Sequence, residues 1–408
     1  MTAKRKLLLL GGVSGLLPVI QAAHRLDCHV ITCDYLPENI AHRFSDEFWN
    51  ISITDAPAVL DAARKHRVDG VMTFAVDAGA VTTAYVQEKL HLPGNPLESV
   101  RILQNKGRFR NFLRDHGFSV PETATASTLD QAQSILGDLP LPLMVKPVDS
   151  AGSKGVSVIR EPSELPEAFR TAMAHSLAGT VILEEFLPPC GNPSDSDCFS
   201  TNGELTFVSY SAQSFDPAAE NPFAPAAFHW PGTFAPAEER ALTGELQRLL
   251  HLLEMKTSLY NVETRICRGM PYLMEVSPRG GGNRIAEMLR RITGVDLIAG
   301  AVKGALGDDP EIHPAPLSGN WAEVILHAAE PGIFRAIHPA EEIRNFVREI
   351  RLDVEPGDRI CAFGSGRDAL GTAVLQFPDR DTMLRAMQTA HSLFQVERSP
   401  LTGKESEG

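Results

Sequence analysis

The sequence predicts an α/β and α+β protein. It has an N-terminal doubly wound parallel sheet domain, a middle region with a small lid subdomain, and a C-terminal α+β region. Three observations predict this. Short apolar runs alternate with amphipathic stretches through residues 6–90, the mark of parallel strands joined by helices. The run Leu92-Pro93-Gly94-Asn95-Pro96 is dense in breakers and ends that alternation. Beyond residue 120, strands carry lysines or carboxylates near their ends and are joined by Gly-rich turns. The expected domains are 1–97, 98–310 with the lid at 122–187, and 311–408.

In order, residues 6–10 read as a buried strand, 11–15 (GGVSG) as a glycine turn and 16–25 as an amphipathic helix. Residues 28–33 form a second strand closed by Asp34, 57–66 a helix opening on a proline, 70–74 a strand and 78–90 a helix. The turn is spaced GGxxG rather than GxGxxG, so strand–helix packing accounts for it better than a dinucleotide site with Asp34 on the ribose. Asp77 follows the third strand, where open sheets bind small substrates and where a loop carboxylate is also simply solvated. A helix over 98–116 carries Asn105 and Lys106, and Lys106 also reads as an ordinary exposed lysine.

In the lid region, Lys146 stands near the end of an apolar strand over 143–147, where a lysine is costly to bury unpaired. The loop 149–156 leads to a strand over 156–159. It joins two strands and lacks GxxxxGK[ST], so it is not a Walker A loop. It reads as a flexible Gly/Ser hairpin. Backbone N–H groups of Ser150, Gly152, Ser153 and Gly155 can cover a triphosphate, with Lys146 and Lys154 supplying charge. The strand VILEEFL over 181–187 has the makings of an adenine hinge. Its backbone meets the base edge, Phe186 and Leu187 pack near the ring, and Glu184 or Glu185 meets an amine or hydroxyl.

Strands are expected over 198–201 and 205–212, a mobile Pro/Ala-rich loop over 214–227 and a long helix over 236–255. A strand over 258–266 carries Glu263. After a turn at Arg268-Gly269, the return strand 271–276 carries Glu275. The two carboxylates thus lie on adjacent antiparallel strands, where they repel unless a cation lies between them. That suits one or two Mg²⁺ or Mn²⁺ ions shared with substrate phosphates. After Glu275 come Arg279, three glycines, Asn283 and Arg284. Arginine binds phosphoryl or carboxylate oxygens, and glycines let the backbone come close. Helices follow over 285–292 and 295–304, strands over 322–327, 350–353 and 371–377, a last helix over 381–395 and a frayed tail over 399–408.

The formal net charge of −13 disfavours general nucleic-acid or anionic-membrane binding. Six scattered cysteines without CxxC or zinc spacing fit a reducing compartment. The apolar run 7–10 is too short for a secretory leader, and no run approaches the roughly 18 apolar residues of a membrane span. A cytoplasmic location is expected.

Taken in order, these motifs resemble the ATP-grasp superfamily, nearest its carbamoyl-phosphate-synthase-like and L-amino-acid-ligase-like members, over about residues 6–304. The resemblance implies an ATP-grasp fold with ATP and Mg²⁺ (or Mn²⁺) as cofactors. It places Lys106 and Lys146 on the ATP phosphates, Ser150–Gly155 over them, and Glu184, Glu185, Phe186 and Leu187 at the adenine hinge. It makes Glu263 and Glu275 the metal ligands, and Arg279 and Lys146 the catalytic pair, with Arg279 on the transferring phosphoryl group or acyl phosphate. Many members carry an Asn ligand two residues after the second Glu. Here Ser277 implies weaker metal coordination. The usual ribose-holding acid is broken by Gly191-Asn192-Pro193, leaving Glu184, Asp195 and Asp197 open for that contact.

The implied reaction is ATP-dependent ligation of a carboxylate to an amine or thiol. It passes through an acyl phosphate, releases ADP and phosphate, and uses amino-acid-like small molecules. Asn283 and Arg284 are candidates for the carboxylate substrate. His229, in FHWPG, is a candidate for amine binding or proton transfer, or a structural histidine. The expected partners are small molecules and, for such a fold, a second copy of the chain; no nucleic acid or membrane is expected. Activation of bicarbonate or formate, and a non-catalytic ATP-binding regulator, are the competing readings.

Overall fold

The protein, as a computed structural model, is described over residues 4–188 and 190–401. It divides into two compact units. The first comprises Met1–Val120, Asp195–Tyr210 and Phe234–Pro316; the second comprises Pro121–Ser194, Ser211–Thr233 and Leu317–Gly408.

The first unit opens on a parallel sheet in the order Glu47–Asn50, His29–Asp34, Lys6–Leu10, Gly70–Thr73. Leu7 to Leu10 are fully buried, as expected where both faces of a strand are covered by helices. The helices are Leu17–Arg25, Ala56–His66 and Ala80–Leu90. A Cβ on Gly12 would stand 2.6 Å from His42 Nε2, so the glycine here serves close packing.

The helix expected over 98–116 is two helices, Leu97–Leu103 and Lys106–Asp115. Asn105 breaks them apart. Its backbone is extended, and its side chain caps the second helix by accepting from the Arg108 N–H at 3.0 Å. Lys106 therefore sits in the first turn of the second helix.

The second sheet of this unit is antiparallel, in the order Glu204–Phe207, Ser194–Thr201, Ser258–Cys267, Met270–Ser277. Helix Pro236–Leu252 packs Leu242, Leu246, Leu249 and Leu250 into a core shared with Phe109, Leu113, Tyr260, Val262 and Val276. Arg268 and Gly269 have φ of 53° and 74°. Positive φ at both positions of a two-residue turn gives the twist that closes a hairpin in tight register. Two strand expectations need correction. The strand expected at 198–201 begins at Ser194, despite the prolines before it. The run expected at 205–212 stops at Phe207, because the chain leaves this unit at Tyr210 and starts another strand, Ala212–Phe215.

The second unit contains the antiparallel sheet Thr123–Ala126, Val181–Glu185, Leu143–Pro147, Ser157–Ile159, backed by helices Leu129–Leu136 and Leu165–Ala174. It also contains a five-stranded sheet, Ala212–Phe215, Pro225–Trp230, Asn320–Leu326, Gly371–Phe377, Val347–Leu352, and a three-stranded one, Arg359–Ile360, Gly332–Pro339, Phe394–Ser399. The loop expected as mobile over 214–227 is largely tied down. Pro225–Trp230 is a strand, and Ala219, Ala224, Ala226 and Ala227 are buried, because small side chains let the backbone lie close to its neighbours. The last helix ends at Met387 rather than 395, and Ser399 closes a strand instead of opening a tail. The rest of that expected tail, 402–408, lies outside the described residues. Among the described residues, no helix is long and apolar enough to cross a membrane.

A buried histidine–aspartate contact anchors the 216–224 segment. His327 Nδ1 faces the Ile325 carbonyl at 2.7 Å and Nε2 faces Asp216 Oδ2 at 3.0 Å, with the ring stacked on Phe363. Burial pushes the Asp216 carboxyl up, but hydrogen bonds from His327 and the Ala218 N–H outweigh it and hold the group below its usual range. A depressed carboxylate contributes stability above its unfolded pKa of about 3.9, and that contribution is lost as pH falls through the lower folded value. His327→Ala is expected to cost this unit about 2 kcal/mol in denaturant unfolding near neutral pH. Asp216→Asn should flatten the low-pH limb of a melting-temperature profile. An unchanged limb would remove Asp216 from that role.

Candidate active site

In the first unit, Glu263 and Glu275 are direct register partners on strands Ser258–Cys267 and Met270–Ser277, beside an irregularity between Glu263 and Thr264. Lys106 Nζ lies 3.0 Å from Glu275 Oε2, both side chains being mostly buried. Burial pushes the Lys106 ammonium down, but Glu275, Glu263 and Asp77 hold it above its usual range. It is therefore charged and balances part of the carboxylate repulsion. The pair offers hard oxygen donors. Among the described residues no group of three or more His, Cys, Asp or Glu forms a complete metal cage. Two carboxylates are a donor set that suits Mg²⁺, which is commonly held by one or two carboxylates together with substrate phosphates and water. Ser277 is turned elsewhere: its hydroxyl donates to Asp77 Oδ1 at 2.9 Å.

Arg279 is 8% exposed and fully engaged along one edge. Its Nε donates to Asp77 Oδ1 at 3.0 Å, its Nη2 to Asp77 Oδ2 at 2.6 Å, and its Nη1 to the Gly280 carbonyl at 3.0 Å. Burial disfavours the charge on each partner, but the pair outweighs it: Asp77 is held below the usual carboxylate range and Arg279 above its own.

The glycine run after Arg279 exists for close approach. Gly280 accepts from the Ala75 N–H at 3.1 Å, and a Cβ there would lie 2.1 Å from Phe74 Cε2. A Cβ on Gly281 would lie 2.8 Å from Asp197 Oδ1, which accepts the Gly281 N–H at 2.9 Å. Gly282 has open space. Gly280→Ala is expected to cost about 1–3 kcal/mol through the Phe74 clash. Gly282→Ala should melt like wild type. Equal melting temperatures for both would refute this reading of the turn.

Asn283 and Arg284 have φ of 49° and 57°, consecutive left-handed positions occupied by non-glycine residues. Such strain gathers at functional sites. Arg284 Nε reaches Glu287 Oε2 at 3.4 Å at the start of helix Ile285–Thr293.

Asp195 and Asp197 lie buried on strand Ser194–Thr201, both facing the Asn261 amide, at 2.6 and 3.3 Å. Burial, and for Asp195 also Glu263, push these carboxyls up, Asp195 well above its usual range and Asp197 to about 7. Asp197 Oδ1 is thus occupied by Gly281 and Asn261. Sequence reasoning named both aspartates only for a ribose and missed Asn261. The available signal was its place two residues before Glu263, on the same strand face.

In the second unit, Lys146 donates to Glu184 Oε1 at 2.5 Å across two paired strands. Glu184 is 1% exposed and is held by this lysine, whereas Glu185 accepts from the Glu122 N–H at 3.3 Å. The Glu185 and Phe186 N–H groups are taken by the Glu122 and Pro142 carbonyls. Leu187 is buried.

The Gly/Ser loop carries positive φ at Gly152, Ser153 and Gly155. Asp149 fixes its base by accepting from Ser176 Oγ, Leu177 N and Ala178 N. Ser153 Oγ donates to the Phe223 carbonyl at 2.9 Å, and Asn221 Nδ2 donates to the Ser153 and Gly364 carbonyls. Ser150 lies at the start of this loop. Lys154 is held below its usual range by burial and by Arg367. His229 is buried on strand Pro225–Trp230, with Nδ1 donating to the Pro231 carbonyl at 3.0 Å. Burial pushes it down to about 4, so it is neutral and Nε2 is an acceptor.

Residues 103–283 match the family model "ATP-grasp domain", and residues 324–398 match "L-amino acid ligase C-terminal domain 2". A formate-dependent phosphoribosylglycinamide formyltransferase of Synechococcus sp. (strain CC9311) is 33% identical over 170 residues, 41% of this chain and 43% of that protein. The chain therefore spans less than half the length of that relative. An uncharacterised Sinorhizobium fredii protein, y4rH, is 24% identical over 81% of this chain and 69% of its own length. The solved L-amino acid ligase of Bacillus licheniformis superposes with a TM-score of 0.80 at 20% identity, covering 98% of this chain and 100% of that one, which shows a shared fold. The chain thus carries an ATP-grasp domain over residues 103–283, followed over residues 324–398 by a segment that matches an L-amino acid ligase C-terminal domain.

Proposed function

We propose that the protein is an ADP-forming ligase that joins a small carboxylate, amino-acid-like in kind, to an amine through an acyl phosphate. The observation that carries this is the Glu263–Glu275 pair with its compensating Lys106 beside a fixed Arg279. This is a set of charges suited to bringing two anions together. The match of residues 324–398 to an L-amino acid ligase segment supports the amino-acid-like substrate. The three-part division at 97 and 310, and assembly as a homodimer, belong to the same proposal.

A substrate carboxylate oxygen attacks the γ-phosphorus of ATP, and the bond to ADP breaks with its electron pair leaving on ADP. The amine then attacks the acyl carbon, phosphate leaves and the nitrogen loses a proton. A thiol nucleophile would give a thioester by the same route. When bound at Glu263 and Glu275, Mg²⁺ or Mn²⁺ would supply charge for the phosphate oxygens. Lys106 and Lys146 neutralise phosphate, and Arg279 binds the transferring group or the acyl phosphate. Lys154 and the loop from Ser150 to Gly155 shield that intermediate from water. Asn283 and Arg284 orient the carboxylate substrate. With the N–H groups of Glu185 and Phe186 already used, the hinge donor falls to Leu187. His229, with an accepting Nε2, is the amine-side candidate.

The test is ADP release with Mg²⁺-ATP and divided pools of amino acids and small carboxylates. Formate and bicarbonate form a separate pool, because the Synechococcus relative is named for formate. Release that needs one carboxylate and one amine establishes the ligase. Release with formate or bicarbonate alone moves the protein to the second reading. Tight ATP binding without release from any pool favours a regulator.

A further inference from the structure

Asp77 is heavily engaged in the first unit, and the proposed chemistry gives it no task. It follows strand Gly70–Thr73, about 200 residues from its partners: the separations are 200 to Ser277 and 202 to Arg279. It is 16% exposed, and its carboxylate takes the Nε/Nη2 edge of Arg279 side-on while also accepting from Ser277. Gln104 Nε2 lies 3.4 Å from the same Ser277 hydroxyl. A guanidinium has five N–H donors in one plane. With one edge on Asp77 and Nη1 on Gly280, the head cannot rotate, and the donors left over lie at its Nη1/Nη2 end.

We infer that Asp77 is a positioning residue for Arg279, with Ser277 as its prop. The N-terminal sheet thereby sets the direction in which Arg279 offers its remaining donors to an anionic substrate group. Ser277 thus spends its hydroxyl proton on Asp77. The carboxylate also offsets the charge of Arg279, so the site binds its anion less tightly in the ground state while holding the geometry that the transferring group needs. This role rests on the ligase reading above.

The test is steady-state kinetics on the whole protein with the substrate pair found by the pools, comparing wild type, Asp77→Asn, Arg279→Gln and the double variant. Asp77→Asn is expected to lower kcat by about 10²-fold, the scale of a small misplacement of a reacting group. It should lower KM for the carboxylate, because a negative charge beside Arg279 is gone, and leave KM for ATP within about twofold. A residue that merely supports the fold would not lower one KM while sparing the other. In the Arg279→Gln background, Asp77→Asn should have no further effect on kcat, since the group it directs is absent. The double variant also removes the unpaired buried arginine, so it guards against a single variant that fails to fold. Equal kcat losses from Asp77→Asn in both backgrounds, or a rise in both KM values, would overturn the inference. Absence of wild-type turnover with every pool would sink the ligase reading and this role with it; turnover with additive losses would sink this role alone.

Discussion

Glu275→Gln is expected to reduce ADP release by about 10³-fold while the protein stays folded. One of the two carboxylates facing each other across strands Ser258–Cys267 and Met270–Ser277 is neutralised, and a bound divalent ion is worth several kcal/mol of charge stabilisation in such a reaction. At 1.36 kcal/mol per factor of ten, about 4 kcal/mol gives that loss. Stability should move little, because two effects oppose each other. Lys106 loses its 3.0 Å partner, but the repulsion between Glu275 and Glu263 ends, and Glu263 remains within electrostatic reach of Lys106. Turnover and thermal melting measured on the same preparation check both halves. A variant that keeps more than about a tenth of wild-type turnover would remove Glu275 from metal binding, since losing an essential ligand costs more than that.

The hairpin that carries this pair is legible in the sequence. Arg268-Gly269 is a turn signal, the flanking runs are apolar, and counting outward from the turn brings Glu263 and Glu275 opposite each other. The parallel N-terminal sheet was equally legible, because alternating strands and helices leave few topologies. What failed to show had physical reasons. The helix break at Asn105 is a capping event, and an Asn inside a helical stretch announces it only weakly. The strand at Ser194 begins in breaker-rich sequence, because its polar residues are recruited by Asn261 and Gly281 from distant segments. The C-terminal strands Gly332–Pro339 and Phe394–Ser399 pair across about 60 residues, with little local pattern to mark them. Above all, the partner of Arg279 was beyond reach. Asp77 could be noticed as a residue at a strand end, but nothing in sequence joins position 77 to position 279.

The Lys146–Glu184 pair shows the same limit from the other side, and it yields the second large effect. The sequence marked Lys146 as a lysine needing a partner and Glu184 as part of a hinge. In the structure each is the other's answer, with Glu184 at 1% exposure and Lys146 at 9%. Lys146→Met should therefore do two separable things. It takes the lysine charge away from a buried carboxylate, and breaking a buried pair in this way costs about 3–5 kcal/mol. It also removes the charge assigned to an ATP phosphate. Adding Glu184→Gln relieves the first effect only, because the remaining amide can be buried at far lower cost than an unpaired carboxylate. The double variant should regain most of the stability of wild type in denaturant unfolding and stay at the low activity of Lys146→Met. If activity returned together with stability, Lys146 would be a structural lysine satisfied by Glu184, and the phosphate contact would have to come from elsewhere. If stability never fell, the pair would be too well hydrated to hold the sheet. The positions are diagonal neighbours, with Lys146 opposite Ile182 and Glu184 opposite Met144, so the ion pair spans the diagonal of the two-strand ladder. Separating the two effects tests whether the sheet buries this charge for its own sake or to hold it ready for a phosphate.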